Sequence, residues 1–315
     1  MVMLVVAVGA GAAVGLVTRP SPVPSPSPTP RRTATPEPDT GPAVFQQPLS
    51  SGCATLDDVF VVSNGGGIGR FDGQRWQLVD NTLRSLVYAA CTRDTVLAVG
   101  GAGRVLIIDA VAKTIRAEDL GIADLNGISL LPDGALVVGE KGTVQRESAA
   151  GWDPYARGIA EDLFGVAAFS GTSAWAVGSG GVAYRLEAAG WRQIETGTTA
   201  TLRTVAGASP TDAIAAGDDG VLLRFDGVWR ALESGVKTPL RASVRAAGAT
   251  YITGDNGVVL KVTGGDVTRV DLGTSCTVTG VFSRGAEVWF VGSEGLHAGV
   301  WRWSGDRVLE RWGTC

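Results

Sequence analysis

The chain has 315 residues, with 27 Lys and Arg against 31 Asp and Glu and a net charge of −4. That balance, without basic runs, excludes a nucleic-acid surface and electrostatic attachment to an anionic membrane. One histidine, His297, leaves any imidazole-based triad or metal site resting on a single residue, and no phosphate loop, nucleophile elbow or His-Glu-x-x-His motif occurs.

Residues 2–18 carry no charge and no proline. Their length sits at the lower limit of a membrane span and is long for a signal-peptide core. No basic residue precedes the segment and no cysteine stands directly after it. Residues 1–18 are therefore expected to be a transmembrane anchor or signal segment. Residues 19–47 read as a linker, because 10 of the 14 prolines fall between Pro20 and Pro48. Such a stretch favours an extended polyproline spacer and cannot pack a core. Anchor, stalk and one compact domain is the layout of a membrane-anchored or secreted protein displayed outside the cytoplasm.

From Pro48 onward the chain repeats itself. Gly-x-x-Gly pairs recur at Gly100/Gly103, Gly139/Gly142, Gly178/Gly181, Gly217/Gly220, Gly254/Gly257 and Gly292/Gly295, in steps of 37 to 39 residues. Ser63-x-x-Gly66 is a degenerate earlier copy. Seven units follow, starting near residues 48, 86, 125, 163, 202, 240 and 278. Each holds short apolar runs broken by turn residues, as in Leu202–Ala206, Ala213–Gly217, Val221–Phe225 and Val228–Leu232. The 45 glycines at fixed places disfavour a helical solenoid, since each would cost a helix roughly 1 kcal/mol against Ala. Four strands per unit and seven units predict an all-β, seven-bladed β-propeller over residues 48–315. The glycines flanking each central turn are expected to supply positive φ. Trp76, Trp152, Trp191 and Trp229, in the fourth strands, are expected to seal the gaps between blades.

The cysteines follow the same frame. Cys53 and Cys91 are each the sixth residue of adjacent units, and Cys276 and Cys315 end adjacent units. Equivalent places in neighbouring blades are close, so two disulfides, Cys53–Cys91 and Cys276–Cys315, are expected, in keeping with an oxidising compartment. Four buried thiols are the alternative. The second bridge is expected to secure the last unit, because no early strand is obviously borrowed to latch it; Ala43 to Gln47 has proline neighbours that weaken it as a strand.

Chemistry-bearing residues are sparse. The turn between second and third strands holds Asp218, Asp219, Asp255, Asn256 and Glu294 in units five to seven, expected together on one face. Oxygen-rich turns suit calcium or a basic partner, although Asp and Asn also favour such turns for backbone reasons. No Cys or His clustering points to a metal site, and no cofactor is expected. Loops on the same face carry Arg84, Asn126, Phe164, Arg203 and Arg241. Arg203 and Arg241 at equivalent positions near a channel mouth suit a carboxylate or an acidic glycan, with solvated charge as the alternative.

The recurring Ala-Val-Gly-x-x-Gly-x-x-x-Arg-x-x-Gly-x-x-Trp pattern, with Trp175–Val182 and Gly217–Gly227 as its fullest copies, resembles the bacterial Asp-box (BNR, sialidase-like) propellers and the photosystem II assembly-factor-like propellers. Arg70-Phe71-Asp72-Gly73 and Arg224-Phe225-Asp226-Gly227 look like worn Asp-box turns. The resemblance covers residues 48–315 and implies the propeller fold. The catalytic members' arginine triad and Tyr/Glu pair have no matching set here, so no active site is carried over. The expectation is a non-enzymatic binding or scaffolding propeller for a protein or cell-surface glycan, with an Asp-box-type glycoside hydrolase or lyase as the rival. Units of uniform length, without the long insertions that build enzyme sites, favour binding.

Overall fold

The computed structural model describes residues 43–315; the apolar segment 2–18 and the Pro-rich stretch up to residue 42 lie outside the described residues. The described chain is all-β. Seven four-stranded antiparallel sheets, each with its strands neighbouring in chain order, form the blades of a propeller. Their first strands begin at Leu49, Leu86, Leu125, Leu163, Leu202, Leu240 and Thr277, within one residue of the repeat boundaries. First strands pack against one another around the axis, and that of blade 1 also packs against that of blade 7. Among the described residues the helical elements are 3-10 turns of three or four residues.

The sequence makes blades because their inner strands are covered on both faces. Val59–Ser63, the second strand of blade 1, is buried at every position, as a strand between two apolar layers must be. Leu49, Leu86, Leu125, Leu163, Leu202, Leu240 and Val278 anchor the seven first strands and are fully buried. Each such side chain stabilises the ring by roughly 1.5–3 kcal/mol. Outer strands alternate instead, with exposed positions in Thr114–Asp119.

The Gly-x-x-Gly turns take a tighter form than expected. The second glycine does adopt positive φ, +68° at Gly103, +65° at Gly142 and +69° at Gly220. The first does not: Gly100, Gly139, Gly178 and Gly217 are extended. These are glycine because a Cβ would run into the backbone carbonyl of Ser85, Asp124, Asp162 or Thr201, at the chain's approach to the same blade. Blade 7 departs from the pattern. Its second strand runs on to Glu294, which pairs with His297 across a tight hairpin, so Glu294 ends a strand and is not a turn centre.

A cation repeats along the third strands. Arg70, Arg146, Arg185, Arg224, Lys261 and Arg302 lie in register opposite Phe60, Leu136, Trp175, Ile214, Tyr251 and Trp289 of the adjoining second strands. Four of them pair with an acid near the start of that second strand: Arg70–Asp58 at 2.8 Å, Arg146–Asp133 at 2.9 Å, Arg224–Asp212 at 3.4 Å and Arg302–Glu287 at 2.5 Å. Several lie over rings, Arg185 being 5.7 Å from both Trp175 and Phe225 of the next blade. The stems cover apolar surface while the heads stay paired. Trp76 and Trp229 seal blade junctions as expected, Trp229 against Trp175 and Phe225.

Among the described residues, closure between blades 7 and 1 borrows no strand. Residues Ala43–Gln46 form a 3-10 turn, and Phe45, only 2% exposed, is buried at the seam beside Trp76 with ring centroids 5.6 Å apart. Trp289 and Trp312 of blade 7 stack at 5.5 Å in the same aromatic group. Thr279 and Arg284 of blade 7 donate hydrogen bonds to the carbonyls of Leu49 and Leu56 in blade 1, at 2.8 and 2.7 Å. Both expected disulfides are present, with Cα–Cα distances of 5.5 Å for Cys53–Cys91 and 5.9 Å for Cys276–Cys315. The first crosses the inner strands of blades 1 and 2. The second ties the end of blade 7 to the loop between blades 6 and 7, so it secures the last strand and leaves the seam itself to the aromatic cluster and the Thr279 and Arg284 hydrogen bonds.

Candidate functional site

The face on which second and third strands turn, here called the upper face, also receives the loops that lead into each first strand. In every blade a bulge interrupts the ladder directly after the buried anchor. A bulge adds one unpaired residue and re-aims its side chain. The residues so placed are Ser50, Val87, Asn126, Phe164, Arg203, Arg241 and Thr279, one per blade, and together with Asn64, Tyr88 and Ala242 they line a cavity of about 200 Å³ at the channel mouth.

Three of the seven brace the ring. Ser50 Oγ donates to the carbonyl of Leu86 at 2.6 Å, Asn126 Nδ2 to that of Leu163 at 3.0 Å and Thr279 Oγ1 to that of Leu49 at 2.8 Å. Each bridges from its own blade to the anchor of the next. The two arginines act differently. Arg203 donates from Nε and Nη2 to the two carboxylate oxygens of Asp218, at 2.5 and 3.0 Å. Arg241 holds Asp255 in the same forked manner, Nη2 to Oδ2 being 3.0 Å. The Asp255 hydrogen bond raises the Arg241 pKa further above its ordinary value. The sequence offered these four residues as separate candidates; the structure joins them as two fork-on-fork pairs, the geometry that suits guanidinium and carboxylate.

The other candidates are more dispersed. Asp219 and Asn256 sit at the positive-φ position of their turns, with φ of +57° in both, and are exposed. Glu294 is exposed at the blade 7 hairpin. Arg84 is not among the residues lining the mouth and is paired with Asp119 at 3.4 Å. His297 is exposed at the strand edge and bonds Thr314 Oγ1 at 3.0 Å. Among the described residues no group of three or more His, Cys, Asp or Glu side chains is placed to hold a metal ion.

Phe164 lies under the Arg203 guanidinium, 5.7 Å from it to the ring centroid. Tyr88 lines both the mouth and a second cavity of about 380 Å³ at the other end of the channel, and burial pushes its phenol pKa up. The mouth thus presents an aromatic face, two guanidiniums with Nη1 directed away from their aspartates, and a phenol. Such a set is chemically suited to flat or anionic groups. The carboxylates beside these arginines, Asp218 and Asp255, are each held by one of them. The bulges were invisible to strand periodicity, although the alignment of the residue after each anchor, six Leu and Val278, would have gathered all seven positions.

No protein-family model and no curated protein sequence matches the chain. Solved structures do resemble it in fold. The WD40 β-propeller domain of Doa1 superposes with a TM-score of 0.70 at 11% identity, over 81% of this chain and 93% of that one. The RRP9 WD40 repeats give 0.68 at 9% identity, over 79% and 88%. The computationally designed Ika8 protein gives 0.63 at 12%, over 86% and 89%.

Proposed function

We propose that the protein is a non-enzymatic binding propeller that engages a protein or cell-surface glycan through the channel mouth of its upper face. The observation that carries this is the ring of seven bulges, which places Phe164, Arg203 and Arg241 side by side at the mouth. The likeness to WD40 propellers, at identities near 10%, is a likeness of fold and agrees with a recognition scaffold. Two disulfides are compatible with an extracellular setting. A membrane tether through residues 2–18 and the Pro-rich stalk completes the proposed arrangement.

The rival, an Asp-box-type hydrolase, would need a Tyr/Glu pair beside free arginines. The mouth lining offers Tyr88 without a glutamate, and Arg203 and Arg241 are each engaged by an aspartate, which argues against it. The test is a screen of wild-type protein and the Arg203→Ala/Arg241→Ala double variant against an acidic-glycan array and a library of carboxylate-bearing peptides, alongside a sialoside hydrolysis assay. Retention of an acidic ligand by wild type and its loss by the double variant supports the proposal. Turnover in the hydrolysis assay, or ligand binding indifferent to both arginines, overturns it.

A further inference from the structure

Six blades place a basic residue in the middle of the third strand; blade 2 places Ile107 there, in register with Leu97. The acid that pairs with this cation elsewhere is missing as well. Thr95 stands where blades 1, 5 and 7 have Asp58, Asp212 and Glu287. The neighbouring blade carries a reciprocal exception. One residue after the cation, the other blades bury an apolar side chain: Phe71, Ile108, Leu186, Phe225, Val262 and Trp303 are 2–7% exposed. Blade 3 has Glu147 instead, half-buried and without an ion pair or side-chain hydrogen bond among the described residues. A carboxylate set at a core position without a partner is costly.

Both exceptions open onto the same space. The groove between blades 2 and 3, on the lower rim, encloses about 450 Å³ and is lined by Leu97, Ile107, Leu130, Leu131 and Pro132, with Glu147 in its wall. The corresponding groove between blades 5 and 6, lined by Arg224, keeps about 130 Å³. Other charged groups at the blade 2–3 groove are engaged elsewhere. Asp109 accepts backbone hydrogen bonds from Val111 and Ala112 at 2.9 and 2.7 Å. Arg116, largely exposed at the rim, is paired with Glu118. Burial and the nearby Glu118 raise the Glu147 pKa while Arg116 opposes the rise, as expected of a carboxylate short of a counter-charge.

We propose that this groove is a socket for an arginine side chain of a partner polypeptide, which supplies from outside the cation that blade 2 lacks. The apolar floor takes the methylene stem, and Glu147 takes the guanidinium. The chain's own arginines show the same division in blades 1, 3, 4, 5 and 7, stem on apolar surface and head on a carboxylate. The site lies away from the upper-face mouth and does not depend on the function proposed there.

The probe is a capped Gly-Ala-Arg-Ala-Gly peptide titrated into the isotope-labelled protein and followed by amide chemical shifts, with a citrulline peptide as the uncharged control. Shifts are expected at Ile107, Leu130 and Glu147, with none from citrulline. Glu147→Gln should weaken binding by about tenfold or more, the loss of one charged hydrogen bond. Ile107→Arg, which restores the repeat, should abolish binding while the thermal unfolding curve stays cooperative. If Ile107→Arg fails to fold, Glu147→Gln alone decides. Equal binding of the citrulline peptide, shifts confined to another surface, undiminished affinity in Glu147→Gln, or no shifts up to about 10 mM peptide would overturn the proposal.

Discussion

Replacing Cys276 and Cys315 together by alanine opens a covalent link between residues separated by 39 positions. On the chain-entropy account, a loop of that size restrains the unfolded chain by about 4 kcal/mol at 25 °C. The second bridge, Cys53–Cys91, spans 38 positions. The same account therefore assigns it an equal contribution to within roughly 0.1 kcal/mol. The folded-state settings differ. Cys276 and Cys315 are both buried beside Trp301 at the end of the chain, whereas Cys91 is only part-buried on the channel wall. Urea unfolding followed by tryptophan fluorescence, for wild type and the two Cys→Ala pairs, separates these contributions. The expected result is a loss of about 3–4 kcal/mol for each pair. Losses below about 1 kcal/mol, or a difference between the pairs above about 2 kcal/mol, would refute loop entropy as the main source.

Three further outcomes are expected. Leu83, 83% exposed, has a φ of +54°, at the junction position that Gly121, Gly158, Gly197, Gly235 and Gly273 occupy elsewhere with φ of +67° to +79°; Leu83→Gly should raise stability by roughly 0.5–1 kcal/mol in the same urea assay, and a loss of stability would contradict the strain. Tyr184 donates to Glu161 at 2.8 Å, and burial with that hydrogen bond pushes its pKa up to about 12 while Glu161 is lowered. Tyr184 thus favours the fold below pH 10 and loses that contribution as pH rises to about 12, whereas Glu161 favours it above its ordinary 4.5 and loses it on acidification. Tyr184→Phe should flatten both legs of the stability–pH profile, and a phenol titrating near 10 at this position in ultraviolet absorbance would contradict the linkage. Arg185→Ala should cost about 1–3 kcal/mol through the lost stack between Trp175 and Phe225, read by thermal unfolding, with a neutral result refuting the packing role.

Much of the fold was legible because its determinants are local and repeat. Glycine is compulsory wherever a Cβ would strike a carbonyl, so the Gly-x-x-Gly spacing carried the blade count and the boundaries. The disulfides were legible because a fixed frame turns equal positions into near neighbours. The site was less so. A bulge shifts register by one residue without changing the apolar alternation, so Asn126, Phe164, Arg203 and Arg241 read as loop residues of one face, and Ser50, Val87 and Thr279 did not read as members of the same ring. The pairing of Arg203 with Asp218 depends on two segments of a blade meeting at one end, which spacing does not express. Phe45 lies among prolines, and nothing short of the seam's geometry shows that it packs on Trp76. The Ile107 and Glu147 exceptions were written in the sequence all along, but they stand out only after the cation's place on the third strand is known.

The seam gives the ring a mechanical polarity. Among the described residues, six blade junctions are crossed by the backbone, and the seventh is held by side-chain packing and side-chain hydrogen bonds. The 3-10 turn Ala43–Gln46 precedes the first strand and sets Phe45 into this junction, so a pull along the chain from its N-terminal side meets Phe45 before any of the described strands. Tension would therefore be felt first as extraction of one aromatic plug, a low-energy opening that leaves every four-stranded sheet intact. Under load the ring should yield as a clasp does, opening and reclosing at one joint, with the Cys276–Cys315 bridge preventing the final strand from peeling away.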